Sequence, residues 1–98
     1  MLPNTKVKDL INRHGQLENE LSSVTIDKKK FAEKSKEYSD LNEIIKEAKE
    51  YIFFKKNKDE LEKIINDTQS EKDIKDLAEL ELEDLKKNNE NNEKKIKL

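Results

Sequence analysis

Cysteine and tryptophan are absent from the 98 residues, and glycine, proline, histidine and arginine occur once each. Without cysteine there is no disulfide framework and no thiolate zinc site. One glycine and one proline leave almost no turn chemistry for hairpins, which excludes an all-β fold, and no glycine-rich loop can cradle a phosphate. A single histidine, His14, rules out a histidine pair on a metal and a nucleophile–histidine unit. The longest apolar run, Tyr51-Ile52-Phe53-Phe54, is far shorter than a membrane span or a signal-peptide core. We therefore expect a soluble, cytoplasmic chain that needs no cofactor, crosses no membrane and takes no small-molecule substrate.

What remains is charge and helix formers. Charged residues make up 45% of the chain and hydrophobic residues 32%, against about 45–50% apolar in an average globular protein. A thick core is out of reach. Leucine, isoleucine, valine and phenylalanine still number 25, above the level of roughly 20% at which disorder becomes the default. The profile is that of long helices and coiled coils. The net charge of −2 gives the whole molecule no attraction for phosphate.

The apolar spacing predicts an all-α, elongated, antiparallel bundle of three helices, about 5–24, 28–66 and 71–97, the second the longest. In the first, Val7, Leu10, His14, Leu17, Leu21 and Val24 alternate steps of three and four, the spacing of a coiled-coil seam. Pro3 precedes it, and Asn4 has the chemistry of an N-cap. Gly15 lies inside the repeat without shifting its phase. Asp27 is placed to cap the second helix, which would be about 58 Å long at 1.5 Å per residue. The cluster Asn66-Asp67-Thr68-Gln69-Ser70 breaks the pattern, and Ser70 with Asp73 resembles a capping box. The chain reaches Leu98 without a helix stop signal, so we expect the natural protein to continue.

The apolar stripe of the second helix rotates by more than heptad drift, about 20° per seven residues, explains. That helix must change partner along its length or bend near Phe53. The shorter flanking helices, one laid back from each end, would overlap near its middle, where the apolar positions crowd. In the third helix Asn88, Asn89, Asn91 and Asn92 interrupt the stripe, with Asn89 and Asn92 on the seam. A polar seam residue can fix register at a cost in stability; the stretch also reads as a solvated, fraying end, which is what we expect.

Candidate functional residues are few. Four consecutive residues from Tyr51 to Phe54 cover the whole circumference of a helix, so one ring must point away from any two-partner seam. Either a crossing of three helices hides them, or Tyr51, Phe53 and Phe54 form a contact surface for another domain or subunit, and the isolated chain would then pair with itself as a homodimer. Lys28-Lys29-Lys30 and Lys55-Lys56 with Lys58 are small basic clusters able to touch phosphate, or simply solvated faces. Carboxylates are abundant but lie on solvated helix faces, where nothing shifts their pKa towards acid–base work. We expect no enzyme here.

Lys30-Phe31, then Ser35-Lys36-Glu37-Tyr38-Ser39-Asp40-Leu41, together with Leu77-Ala78, Glu81-Leu82 and Leu85, resemble the N-terminal helical domain of bacterial class I peptide chain release factors of the release factor 1 branch. Arg13-His14 and the break at Asn66–Ser70 fit the same family, whereas Lys34 stands where it usually has an apolar residue. The resemblance implies a domain of a factor that terminates translation at UAA and UAG codons. It also implies that this part lies near the stalk base of the ribosome, where it contributes to factor binding, and that it is linked to the GTPase that recycles release factors. The family's codon-reading tripeptide and its Gly-Gly-Gln loop do not occur in these residues, so no catalytic residue carries over. Two other classes compete with it: a coiled-coil assembly or adaptor protein, and the tRNA-binding helical arm of a seryl-tRNA synthetase, which would have two long helices and an arginine-bearing tip.

Overall fold

The computed structural model describes residues 2–23 and 27–97. They form four helices and no strand: α1 (Asn4–Leu21), α2 (Lys28–Asn42), α3 (Ile45–Asn66) and α4 (Lys72–Ile96). The bundle measures 60 × 24 × 20 Å with a radius of gyration of 18.4 Å, against about 13 Å for a globule of this length. The elongated all-helical expectation holds.

The helix count does not. The expected second helix is two helices, α2 and α3, and α4, with 25 residues, is the longest of the four. The break falls at Glu43–Ile44, where Ile44 leaves the helical region (φ −116°, ψ 0°). Its N–H turns to the Leu41 carbonyl at 3.0 Å, three residues back. Ser39, Asp40 and Asn42 lie just before the break, residue types whose side chains compete with the backbone ladder. Through Phe53, where a bend was one of the alternatives, α3 runs on uninterrupted.

Three ends also differ from the expected ones. Pro3, not Asn4, is the N-cap of α1, leaving Asn4 as the first helical residue; the proline ring presets the backbone and no side chain caps the end. Helix α1 stops at Leu21, and Val24, the last position of the expected heptad run, lies outside the described residues. Glu71, not Ser70, precedes α4, and no side chain caps that helix; Ser70 N–H instead closes a turn onto the Asp67 carbonyl at 3.2 Å. Asp27 caps α2 as expected, its Oδ1 accepting from the Lys29 N–H at 3.1 Å.

Side-chain pairings give the topology. Glu47 meets Lys95 and Glu50 meets Asn92, so α3 and α4 are antiparallel with one constant register. Glu20 meets Lys34, and Arg13 meets Glu37, so α1 runs antiparallel to α2. The N-terminal half of α1 passes on to α3. The flanking helices thus do overlap at the middle of the central span: Val7 of α1, Ala48 and Tyr51 of α3, and Ile96 of α4 form the core cluster, with Leu10, Ile11, Ile44 and Ile52 packed against it. The half of α3 beyond this overlap packs on α4, with the first turns of α1, at Asn4 and Lys8, beside its other face, the change of partner that the rotating stripe requires.

The end of α4 corrects the expectation of a fraying tail. The helix is continuous to Ile96, and both Asn92 and Ile96 are buried. Asn92 Nδ2 donates to Glu50 Oε2 at 3.1 Å, and the exposed Asn88 donates to the same oxygen at the same distance. The seam asparagine is accommodated there because it has a partner.

Candidate functional site

Tyr51, Ile52, Phe53 and Phe54 point in four directions 100° apart, and α1 and α4 supply only two walls. Tyr51 is buried, and its hydroxyl donates to the Leu2 carbonyl at 2.8 Å and accepts from the Leu2 N–H at 2.9 Å. Burial pushes its phenol above the ordinary tyrosine range. Tyr51 is therefore a core residue that ties the N-terminal segment down, not a surface ring. Ile52 packs on the core cluster and Phe54 is half-buried. Phe53 is left outward, 54% exposed.

Phe53 forms a ridge between two grooves. On one side it joins Lys8, Ile11 and Asn12 of α1 around a recess of about 450 Å³. On the other it joins Phe54 and α4 around an open groove of about 530 Å³, walled by Asn88, Asn89 and Asn92, with Glu50, Lys46 and Lys49 on the α3 side. The polar wall is the same asparagine run that interrupts the apolar stripe.

The lysine candidates separate. Lys28, Lys29 and Lys30 are exposed in the first turn of α2, beside the C-terminal end of α1. Lys55 and Lys56 lie near the other end of α1, where they share a shallow groove with Lys8 and Lys63, and with Asp59 and Glu60. Lys58 faces away from that groove and pairs with Glu62 one turn on, at 3.6 Å. The two clusters thus form no single basic surface, and carboxylates dilute the second. Lysine spacing on its own missed Lys8, which the packing of α1 on α3 brings there, and Lys63, which follows Lys56 by two turns on the same face of α3.

Between α1 and α2, His14 is buried, as its seam position predicts. Its ring stacks on Tyr38 with centroids 4.7 Å apart, and Nε2 lies 3.0 Å from Asn42 Oδ1. Arg13 pairs with Glu37 at 2.9 Å. Lys34, the departure from the family pattern, reaches Glu20 at 2.7 Å and holds its carboxyl below the ordinary glutamate range. Across α3 and α4, Lys95 does the same for Glu47 at 2.9 Å. These contacts use the titratable groups structurally. Among the described residues no cluster of histidine and carboxylate has the makings of a metal site, and no helix is long and apolar enough to cross a membrane.

Comparison with known proteins gives a family. Residues 10–98 match the PCRF domain. Peptide chain release factor 1 of Pelagibacter ubique is 54% identical over all 98 residues, which correspond to 28% of that protein. Peptide chain release factor 1 of Wolbachia pipientis is 39% identical over 77 residues, 78% of this chain and 21% of the relative; that of Agathobacter rectalis is 37% identical over 95 residues, 95% and 26%. The chain thus spans about a quarter of the length of these relatives. No solved structure matches it. The helical resemblance read from the sequence and the match over residues 10–98 agree, and the chain belongs to the PCRF domain family of peptide chain release factors.

Proposed function

We propose that these 98 residues act as the non-catalytic N-terminal helical domain of a release factor in translation termination at UAA and UAG codons. They would contribute contacts to the ribosome at its stalk base and to the factor's other domains. The observation that carries this reading is the match along the whole chain to peptide chain release factor 1. The structure is compatible with it: an elongated bundle of 60 Å is a spacer that can hold a contact surface well away from where the rest of a factor works. The buried residues His14, Asn92 and Tyr51 are each engaged by a neighbour.

The test is competition. Excess chain added to stop-programmed ribosomes should slow peptide release by an intact release factor 1 and should release no peptide by itself. It should also sediment with large ribosomal subunits, less so as salt rises, because exposed lysine contacts are screened. Release by the chain alone, or the lack of both competition and co-sedimentation, would refute the reading.

A further inference from the structure

The groove between α3 and α4 has chemistry that the role of a spacer leaves unused. Along α3, Lys46, Lys49, Phe53 and Asn57 recur at steps of three and four, so they share one face. The opposite wall is amide: Asn88 and Asn92 are held by Glu50 Oε2, while Asn89 Oδ1 is buried and accepts no hydrogen bond among the described residues. A buried acceptor without a donor is costly, so a rotamer that turns the Asn89 amide into the groove towards a ligand donor would relieve that cost. The volume of about 530 Å³ falls within the range of about 300–1,000 Å³ typical of small-molecule sites.

An exposed aromatic ring, amides beside it and two cations at the rim are the parts that recognise an unstacked nucleotide: a stacking platform, hydrogen bonds for the base edge and countercharge for phosphate. The other occupants fit less of it. An arginine side chain would suit Phe53 and Glu50, but Lys46 and Lys49 would repel it. A purely apolar segment would strand the amides. We propose that this groove binds one unstacked nucleotide of a single-stranded or looped RNA, its base against Phe53 and its phosphate at Lys46 and Lys49. The proposal rests on the ribosome-contact reading only for the source of that RNA.

The experiment is fluorescence polarisation with a labelled short single-stranded RNA, alongside a blunt duplex of the same composition, with amide chemical shifts recorded on adding AMP or GMP. Because Phe53 is half exposed, Phe53→Ala should keep the helical circular dichroism, and Phe53→Trp serves as the conservative control. The expected result is single-strand binding that weakens by roughly 5- to 150-fold in Phe53→Ala, the range set by loss of one stacking contact, and is retained in Phe53→Trp. Nucleotide shifts should centre on residues 46–57 and 85–92. Equal binding by wild type and Phe53→Ala, equal binding of the duplex, or preference for an arginine-rich peptide overturns the proposal. So does a concentration-dependent dimer abolished by Phe53→Ala, which assigns the ring to a second copy. Subunit sedimentation separates the two readings. If wild type and Phe53→Ala sediment equally with ribosomes, the groove assignment falls and the ribosome reading stands. Phe53-dependent RNA binding without ribosome sedimentation leaves the opposite outcome.

Discussion

Asn88 and Asn92 donate to one and the same oxygen, Glu50 Oε2, each at 3.1 Å, yet Asn92 is buried and Asn88 is exposed. That makes them a matched pair for measuring what the α3–α4 seam is worth. Hydrogen bonds to charged groups contribute about 1.5–3 kcal/mol when water is excluded, and far less where water competes. Asn92→Ala removes such a bond together with buried packing, so we expect a loss of about 2 kcal/mol, whereas Asn88→Ala should cost under about 0.5 kcal/mol, as surface changes do. In a domain of this size 1 kcal/mol moves the melting temperature by roughly 4–8 °C. Asn92→Ala should therefore melt about 8–16 °C lower, and Asn88→Ala close to wild type. Thermal and urea melts followed by circular dichroism read this directly, and adding Glu50→Gln closes a double-mutant cycle that isolates the pair. Equal melting of all three proteins would mean that the last turns of α4 do not pack, and the reasoning from the seam would be wrong.

Three further outcomes follow from single sites. Gly15 sits in α1 with nothing within 4 Å of an added Cβ, so Gly15→Ala should stabilise by about 1 kcal/mol, visible as a higher urea midpoint; a lower one would show that the helix needs its glycine. Tyr51→Phe removes both hydrogen bonds to Leu2 and should cost about 1–2 kcal/mol, with faster amide exchange confined at first to residues 2–7; unchanged exchange there would count against the tether. Acid should weaken the fold in a defined direction: the Glu20 and Glu47 carboxyls are held below the ordinary glutamate value by Lys34 and Lys95, so their contribution is present above about pH 4.3 and lost as pH falls through the folded values. Glu47→Gln should flatten that part of the urea-midpoint profile, and an unaltered profile would remove Glu47 from the account.

Much of the fold was legible from spacing. The heptad of α1 placed Val7, His14 and Leu17 inside, and all three are buried. The rotation of the apolar stripe on the expected second helix carried real information, namely that the two flanking helices cover different stretches of it. Its second cause was misplaced: the discontinuity is at Glu43–Ile44, not Phe53. The local signal was there, in the weak helix formers Ser39, Asp40 and Asn42, but the apolar positions Leu41, Ile44 and Ile45 ran across them and outweighed it. What pattern reasoning does not reach is pairing over long separations. Asn92 reads as a frayed seam position until Glu50, 42 residues away, stands opposite. Tyr51 likewise cannot be told from Phe53 and Phe54 as the ring that points outward until the Leu2 backbone, 49 residues away, takes its hydroxyl.

The exposed ring at Phe53 is a geometric consequence before it is anything else. Residues 51–54 advance by 100° each, so two neighbouring helices can cover three of the four directions and no more. Helix α1 and the core take Tyr51 and Ile52, α4 takes Phe54, and a single outward ring remains. Exposure alone therefore gives Phe53 no function. What sets it apart from Leu77 and Leu80, which are more exposed still at 58% and 61%, is its surroundings. Leu77 and Leu80 stand on the acidic first half of α4, among Asp73, Asp76, Glu81 and Asp84. Phe53 stands between the lysines of α3 and the asparagine wall of α4. An anionic partner with an aromatic base gains at the second place and is repelled at the first, so a nucleotide that binds this bundle should select Phe53 over the larger apolar surface on α4.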